Sequence, residues 1–177
     1  MPLQKEGNHQ TILIALVDKT WPPDHSFVTG MLAKVAAQQH LLKVRLIVSS
    51  KERSGTYARR YGKAVCIPAL LPRRGLGRLL NFIIAMRVLE YHIAQAKKRN
   101  QRIVLFVRND PVLLLAASVQ RSKVDRLVFQ SSFPHEEVSG GWIKRHFAKM
   151  MYGLAGRRVD AVTGVSQLGV ERISHYS

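Results

Sequence analysis

Cysteine and acid are both scarce in this sequence. Cys66 is the only cysteine in 177 residues, so no disulfide can form within the chain. It lies inside the apolar run 64–67, where a free thiol packs as a small hydrophobe. Long hydrophobic runs are missing too: none approaches the ~20 residues that cross a bilayer. The polar segment 1–10 leads into a six-residue apolar run, too short for the core of a secretory signal. These absences point to a reducing, cytoplasmic setting, with membrane contact limited to the surface. Aromatic residues make up only 7% and do not interleave with the basic ones. A stacking platform for single-stranded nucleic acid is therefore not evident.

Several catalytic signatures are also missing. Gly75 and Gly77 begin a dinucleotide-binding fingerprint, but Leu80 stands where the third glycine belongs. Gly62-Lys63 has the end of a phosphate-binding loop, yet Tyr57 replaces its first glycine and Ala64 its hydroxyl. There is no G-x-S-x-G elbow, and His135-Glu136-Glu137 lacks the second histidine of a zinc protease motif. Seven scattered histidines and one cysteine show no metal-ligand spacing. We expect neither a metal nor a cofactor.

What is present is an alternation. Short aliphatic runs at 12–17, 44–48, 64–67, 103–107, 127–130 and 161–164 are separated by longer helix-like stretches. Near-continuous apolar strands of this kind suit a parallel sheet buried on both faces. The expectation is one α/β domain spanning 1–177, a Rossmann-like doubly wound sheet of six or seven strands. Ligands of such sheets sit beyond the carboxyl ends of the strands.

Helices are expected from about 24 to 40, from about 77 to 98, from 111 to 119 and from 142 to 155, with a last one at 167–175. Asp24 or Ser26 would cap the first, Asn109 or Asp110 the third, and Ser166 the last. The polar segment 51–63 reads as an exposed loop or short helix, and 68–72 as a break in regular structure.

Charge is lopsided: 28 Lys+Arg against 11 Asp+Glu, a formal +17. An excess of that size on one small domain calls for an anionic partner. One basic cluster, Arg73, Arg74 and Arg78, adjoins Leu76, Leu79 and Leu80, a combination that can lie in an anionic membrane interface. A core-facing helix with solvated arginines is the plainer account of the same residues. His135 is notable by position, in an eleven-residue loop past a strand end. Its plain alternative is an ordinary surface histidine.

Three stretches carry a likeness to a known family. They are the opening strand with its proline loop and the helix 27–38, the segment Leu127-Val-Phe-Gln-Ser-Ser-Phe-Pro-His135, and Val159-Asp-Ala-Val-Thr-Gly-Val-Ser166. Together they resemble the N-terminal, acceptor-side half of retaining GT-B glycosyltransferases, of the family 4 type. Members often carry a Gly-Gly pair after the first strand. Here that stretch is Pro22-Pro23-Asp24-His25, which leaves side-chain chemistry in place of backbone amides.

The resemblance implies an acceptor-binding half whose donor-binding C-terminal domain lies outside the sequence, so that this half alone is inactive. His135 would be the catalytic group, orienting the transferred sugar. Asp24, His25, Asp110 and Ser166 would contact acceptor or donor, and Arg73, Arg74 and Arg78 an anionic membrane surface. The substrates implied are a nucleotide-sugar donor and a glycan, phosphate-bearing or lipid-linked acceptor. The setting is polysaccharide biosynthesis, with the enzyme peripheral on the inner face of the membrane. Nucleic acid is not the expected partner. The alternative reading is a basic α/β nucleic-acid-binding or regulatory nucleotide-binding module.

Overall fold

The computed structural model describes residues 10–20, 34, 37, 42–49, 59–61, 64–71, 77–131 and 141–164. Its strands are β1 (Thr11–Thr20), β2 (Leu42–Ser49), β3 (Arg59–Tyr61), β4 (Ala64–Leu70), β5 (Arg102–Arg108), β6 (Arg126–Ser131) and β7 (Ala161–Gly164). The helices are α1 (Gly77–Lys98), α2 (Pro111–Val119) and α3 (Trp142–Gly156), with a 3-10 turn at Arg121–Lys123. Lys34 and Ala37 are helical, in keeping with a helix between β1 and β2. The rest of that helix, its cap, and the helix expected at 167–175 lie outside the described residues.

Among the described residues, seven strands form one sheet in the order β3-β4-β2-β1-β5-β6-β7. All neighbours pair in parallel except β3, which runs antiparallel to β4 at the edge. Taken in chain order, the six parallel strands are arranged third, second, first, fourth, fifth, sixth, which is the Rossmann order. The order reverses between β1 and β5, so the carboxyl ends of these two strands form the topological switch point.

Strand alternation divides the core in two. Ile12, Ile14, Leu16, Ile47, Ile103, Leu105, Val107, Leu127 and Phe129 pack with α1, α2 and α3. Ala15, Val17, Val44, Leu46, Val48, Ala64 and Cys66 form the cluster on the opposite face. Both sets are buried, as the period-two geometry of a fully covered sheet demands.

Two sequence expectations need correction. The segment 51–63, read as loop or short helix, contains the edge strand β3, too short and too polar to show a pattern. Regular structure also does not stop at Pro68, because β4 continues to Leu70. Proline is tolerated there because, among the described residues, β3 pairs only with Ala64, Val65 and Cys66, and Pro68 faces no described partner on that side. On the other side Val48 faces Pro68 but Ser49 faces Leu70, so one extra residue is accommodated. The parity changes with it: Ala64 and Cys66 belong to one cluster and Leu70 to the other.

The helices follow their sequence logic. Ala85, Leu89, Ile93 and Ala96 give α1 its buried stripe. Asn81 ties its first turns to the end of β4, accepting from Leu71 N at 2.7 Å and donating to Leu71 O at 2.9 Å. Both backbone groups are thus satisfied much as a neighbouring strand would satisfy them. At the far end, Gln101 N donates to Ala96 O and Asn100 takes φ 51°, closing the helix with a left-handed residue. Helix α2 is apolar nearly all round and accordingly buried, with Val112, Leu113, Leu114, Ala116 and Ala117 all inside.

Candidate functional site

Polar burial is uneven along the strands. Among the described residues, Ser49, Arg108, Asn109, Asp110 and Ser131 are buried polar groups that all sit at or just past the carboxyl ends of β2, β5 and β6. Burying polar groups costs free energy unless they are satisfied, so their concentration at one edge of an apolar sheet asks for a reason. Arg108, Asn109 and Asp110 stand at the switch point itself, where sheets of this class open a crevice.

Local geometry fixes this corner. Asn109 adopts φ 58°, a left-handed conformation that asparagine tolerates better than most residues. Its N–H donates to Gln130 O at 2.9 Å, so the pairing of β5 with β6 extends past the last strand residue. Arg108 Nε donates to Gln130 Oε1 at 3.1 Å, holding a guanidinium at the carboxyl edge of β5. Asp110 then caps α2: its Oδ1 accepts from Val112 N at 2.8 Å and Leu113 N at 3.1 Å. Pro111 fills the first helical position, where its missing N–H costs nothing. Of the two candidate caps, Asp110 takes the role and Asn109 makes the turn before it.

The amino-terminal edge is built differently. Asp125 Oδ2 accepts from Ile103 N at 2.7 Å, while Asp125 N donates to Ile103 O. Asp160 repeats the arrangement one strand along, accepting from Leu127 N at 2.7 Å and donating its own N–H to Leu127 O. Asp160 also receives Arg121 Nη2 at 2.6 Å and lies 3.5 Å from Arg126 Nη1. Burial pushes its carboxyl upward, but the Leu127 amide and the two guanidinium groups outweigh this and hold it below the usual range. An open groove of about 440 Å³ lies at this edge, lined by Thr11, Arg102, Val104, Asp125 and Arg126. Its carboxylate is already engaged with Ile103, so the groove offers less chemistry than the switch point.

A partly buried polar pair joins β2 to α1. Arg45 on β2 donates through Nη1 to His92 Nδ1 on α1. A guanidinium only donates, so Nδ1 must be the unprotonated nitrogen and the imidazole is neutral. Burial, then the Arg45 charge, push His92 down to about 4. Burial likewise raises the Cys66 thiol to about 12, which makes it unreactive.

Of the residues singled out by sequence, Asp110 is described, with its side chain engaged at the switch point. Asp24, His25, Arg73, Arg74, His135 and Ser166 lie outside the described residues, and for Arg78 only its backbone place in the first turn of α1 is described. Sequence reasoning missed Arg108, Gln130 and Ser131. The available signal was a polar residue closing an otherwise apolar run, at Arg108 and again at Gln130.

No family model matches the chain, and no curated protein sequence matches it. Solved structures do. Sucrose-phosphate synthase from Thermosynechococcus elongatus is similar with a TM-score of 0.58 and 11% identity, over 86% of this chain and 42% of that one. An E. coli structure described as trehalose-6-phosphate bound with UDP-2-fluoro glucose is similar with a TM-score of 0.50 and 12% identity, over 92% of this chain and 41% of that one. These neighbours are GT-B glycosyltransferases, and the chain spans about two fifths of the length of each. At such identity the likeness establishes the fold: α/β, Rossmann-like, matching one half of a GT-B architecture.

Proposed function

We propose that the chain is the acceptor-binding half of a retaining glycosyltransferase that draws on a nucleotide-sugar donor. The observation that carries this reading is the buried polar corner Arg108, Asn109 and Asp110 at the switch point of a sheet shaped like half of a GT-B enzyme. The acceptor docks over this corner, on a glycan, phosphate-bearing or lipid-linked group that the +17 charge of the chain favours. Asp24 and His25, which follow β1 in sequence, and Ser166, which follows β7, supply further contacts to acceptor or donor.

His135 follows β6 in sequence and takes the catalytic position, donating a hydrogen bond to a hydroxyl of the transferred sugar. Charge on the departing nucleotide phosphate is stabilised mainly from a C-terminal donor-binding half, through donors placed where that charge develops. The enzyme works at the cytoplasmic face of a membrane as a peripheral protein. No described helix is long and apolar enough to cross one.

The test compares residues 1–177 with the full-length protein, each given nucleotide-sugars and a panel of phosphate-bearing and lipid-linked acceptors. Transfer by the full-length protein and none by the isolated chain is expected. Turnover by the chain alone, or tighter binding of RNA than of any acceptor at equal salt, rejects the reading.

A further inference from the structure

Two surface features stand apart from the transfer reading. One is the exposed apolar strip of α3 formed by Ile143, Phe147, Met150 and Leu154; the other is the groove of about 440 Å³ at the amino edge of the sheet. Only the groove has walls whose chemistry names an occupant.

Strand geometry builds those walls. Thr11 faces Arg102 across the β1–β5 pair, and Val104 faces Arg126 across the β5–β6 pair. Residues paired in parallel strands point to one side of the sheet, and so do residues two apart on one strand. Ile12, Ile103 and Leu127 point towards the helices, so Thr11, Arg102, Val104 and Arg126 all project from the opposite face. Arg126 is thus a diagonal neighbour of Arg102, with Cα atoms about 8 Å apart from the usual strand spacing and rise. The groove therefore has two guanidinium groups about an apolar floor at Val104, a threonine on β1 and Asp125 just ahead of β6.

Both cations are available to a ligand. Arg102 is exposed and enters none of the described ion pairs. Arg126 is 69% exposed, and among the described residues it pairs with Asp160 alone, at 3.5 Å. The oxygens of Asp160 are already held by Arg121 Nη2 at 2.6 Å and Leu127 N at 2.7 Å. Two guanidinium forks on adjacent strands suit a tetrahedral anion with oxygens in several directions, whereas a planar carboxylate is satisfied by one fork. Asp125 sets the limit: its Oδ2 accepts from Ile103 N, which fixes a carboxylate at one end of the groove. That carboxylate repels a second anionic group. The groove is also larger than a bare phosphate needs, so an organic body fits beside it.

We infer that this groove is a binding site for a small phosphate monoester, its phosphate between Arg102 and Arg126 and its organic part over Val104 and Thr11. No bond is made or broken there. Arg102 and Arg108 open and close β5, about 20 Å apart at the usual rise per residue, so a small ligand here does not touch the switch point. The inference goes beyond the transfer reading, and binding at the amino edge stands or falls independently of it.

The experiment is a titration of the isotopically labelled 177-residue chain with glycerol 3-phosphate at constant ionic strength, followed by amide NMR. Inorganic phosphate, acetate, glycerol and a short single-stranded RNA form separate arms. Saturable shifts are expected at Arg102, Val104, Asp125 and Arg126 with glycerol 3-phosphate, weaker with inorganic phosphate and absent with glycerol. Arg102→Gln or Arg126→Gln should weaken binding about tenfold, the order of one charge-assisted hydrogen bond. Both arginines are exposed, so the melting temperature should be unchanged. Asp125→Asn keeps an oxygen for Ile103 N and removes the opposing charge, so it should tighten binding severalfold, which loss of a merely structural residue would not do. Shifts confined to residues outside the groove, affinity unchanged in both arginine variants, weaker binding in Asp125→Asn, or tighter binding of acetate or RNA at these residues would each overturn the assignment.

Discussion

The two edges of the sheet use polar residues for opposite ends. At the amino edge, Asp125 and Asp160 are each bonded twice to the second residue of the neighbouring strand, and Asp160 is further clasped by Arg121. Their polarity is consumed in holding strands together. At the carboxyl edge, Arg108, Asn109, Asp110 and Ser131 are buried around a left-handed turn at the point where strand order reverses. The first arrangement ties strands together and the second gathers polar groups at the switch point. A parallel sheet separates these tasks because its loops of one kind all emerge on one side.

Substitutions at the two edges should therefore separate rate from stability. The largest effect is expected at the carboxyl edge. On the proposed function, His135→Ala in the full-length protein should lower kcat by about a hundredfold with little change in KM, as for a hydrogen bond that strengthens in the transition state. Asp110→Ser keeps a capping oxygen, so the melting temperature should hold while the lost carboxylate lowers kcat/KM. Steady-state kinetics with thermal melts of both variants reads this directly. Wild-type kinetics in both would reduce His135 to a loop residue and Asp110 to a helix cap.

At the amino edge the pattern should invert. Asp160→Ala strands the Leu127 amide and removes one partner of the Arg121 guanidinium, and should cost about 2 kcal/mol in urea denaturation while leaving turnover alone. A fall in kcat without a fall in stability would break the comparison.

A third effect concerns pH. His92 is held at about 4, below its ordinary 6.5, so between those values the unfolded chain binds a proton that the folded chain does not. Stability should fall as pH drops through that window, by at most about 1.4 kcal/mol per unit. His92→Gln should flatten this slope. Asp160, depressed in the folded state, contributes stability that is present above its ordinary 3.8 and is lost only on further acidification. Urea midpoints from pH 7 to pH 3 for wild type and His92→Gln resolve the two windows.

The parallel strands and three of the helices were legible in the sequence because their signals are local. Each buried strand is an aliphatic run, and α2 announces itself by Asp110 and Pro111 at its start. Gly77 to Lys98 and the helix from Trp142 were equally readable from periodicity. Strand β3 was not, since three polar residues have no period and pair only because Ala64–Cys66 present an open edge.

The sequence by itself determined the α/β class, the buried inert thiol, the basic character and the approximate place of the long elements among the described residues, because composition and periodicity are properties of consecutive residues. Only the tertiary structure decided which strand ends meet at the switch point, that Arg108 would reach Gln130 and Arg45 would reach His92, and which apolar stripe of α3 the core would leave uncovered. Those outcomes depend on strand order and helix packing, which bring together residues 22 and 47 positions apart and assign one face of each helix to the interior.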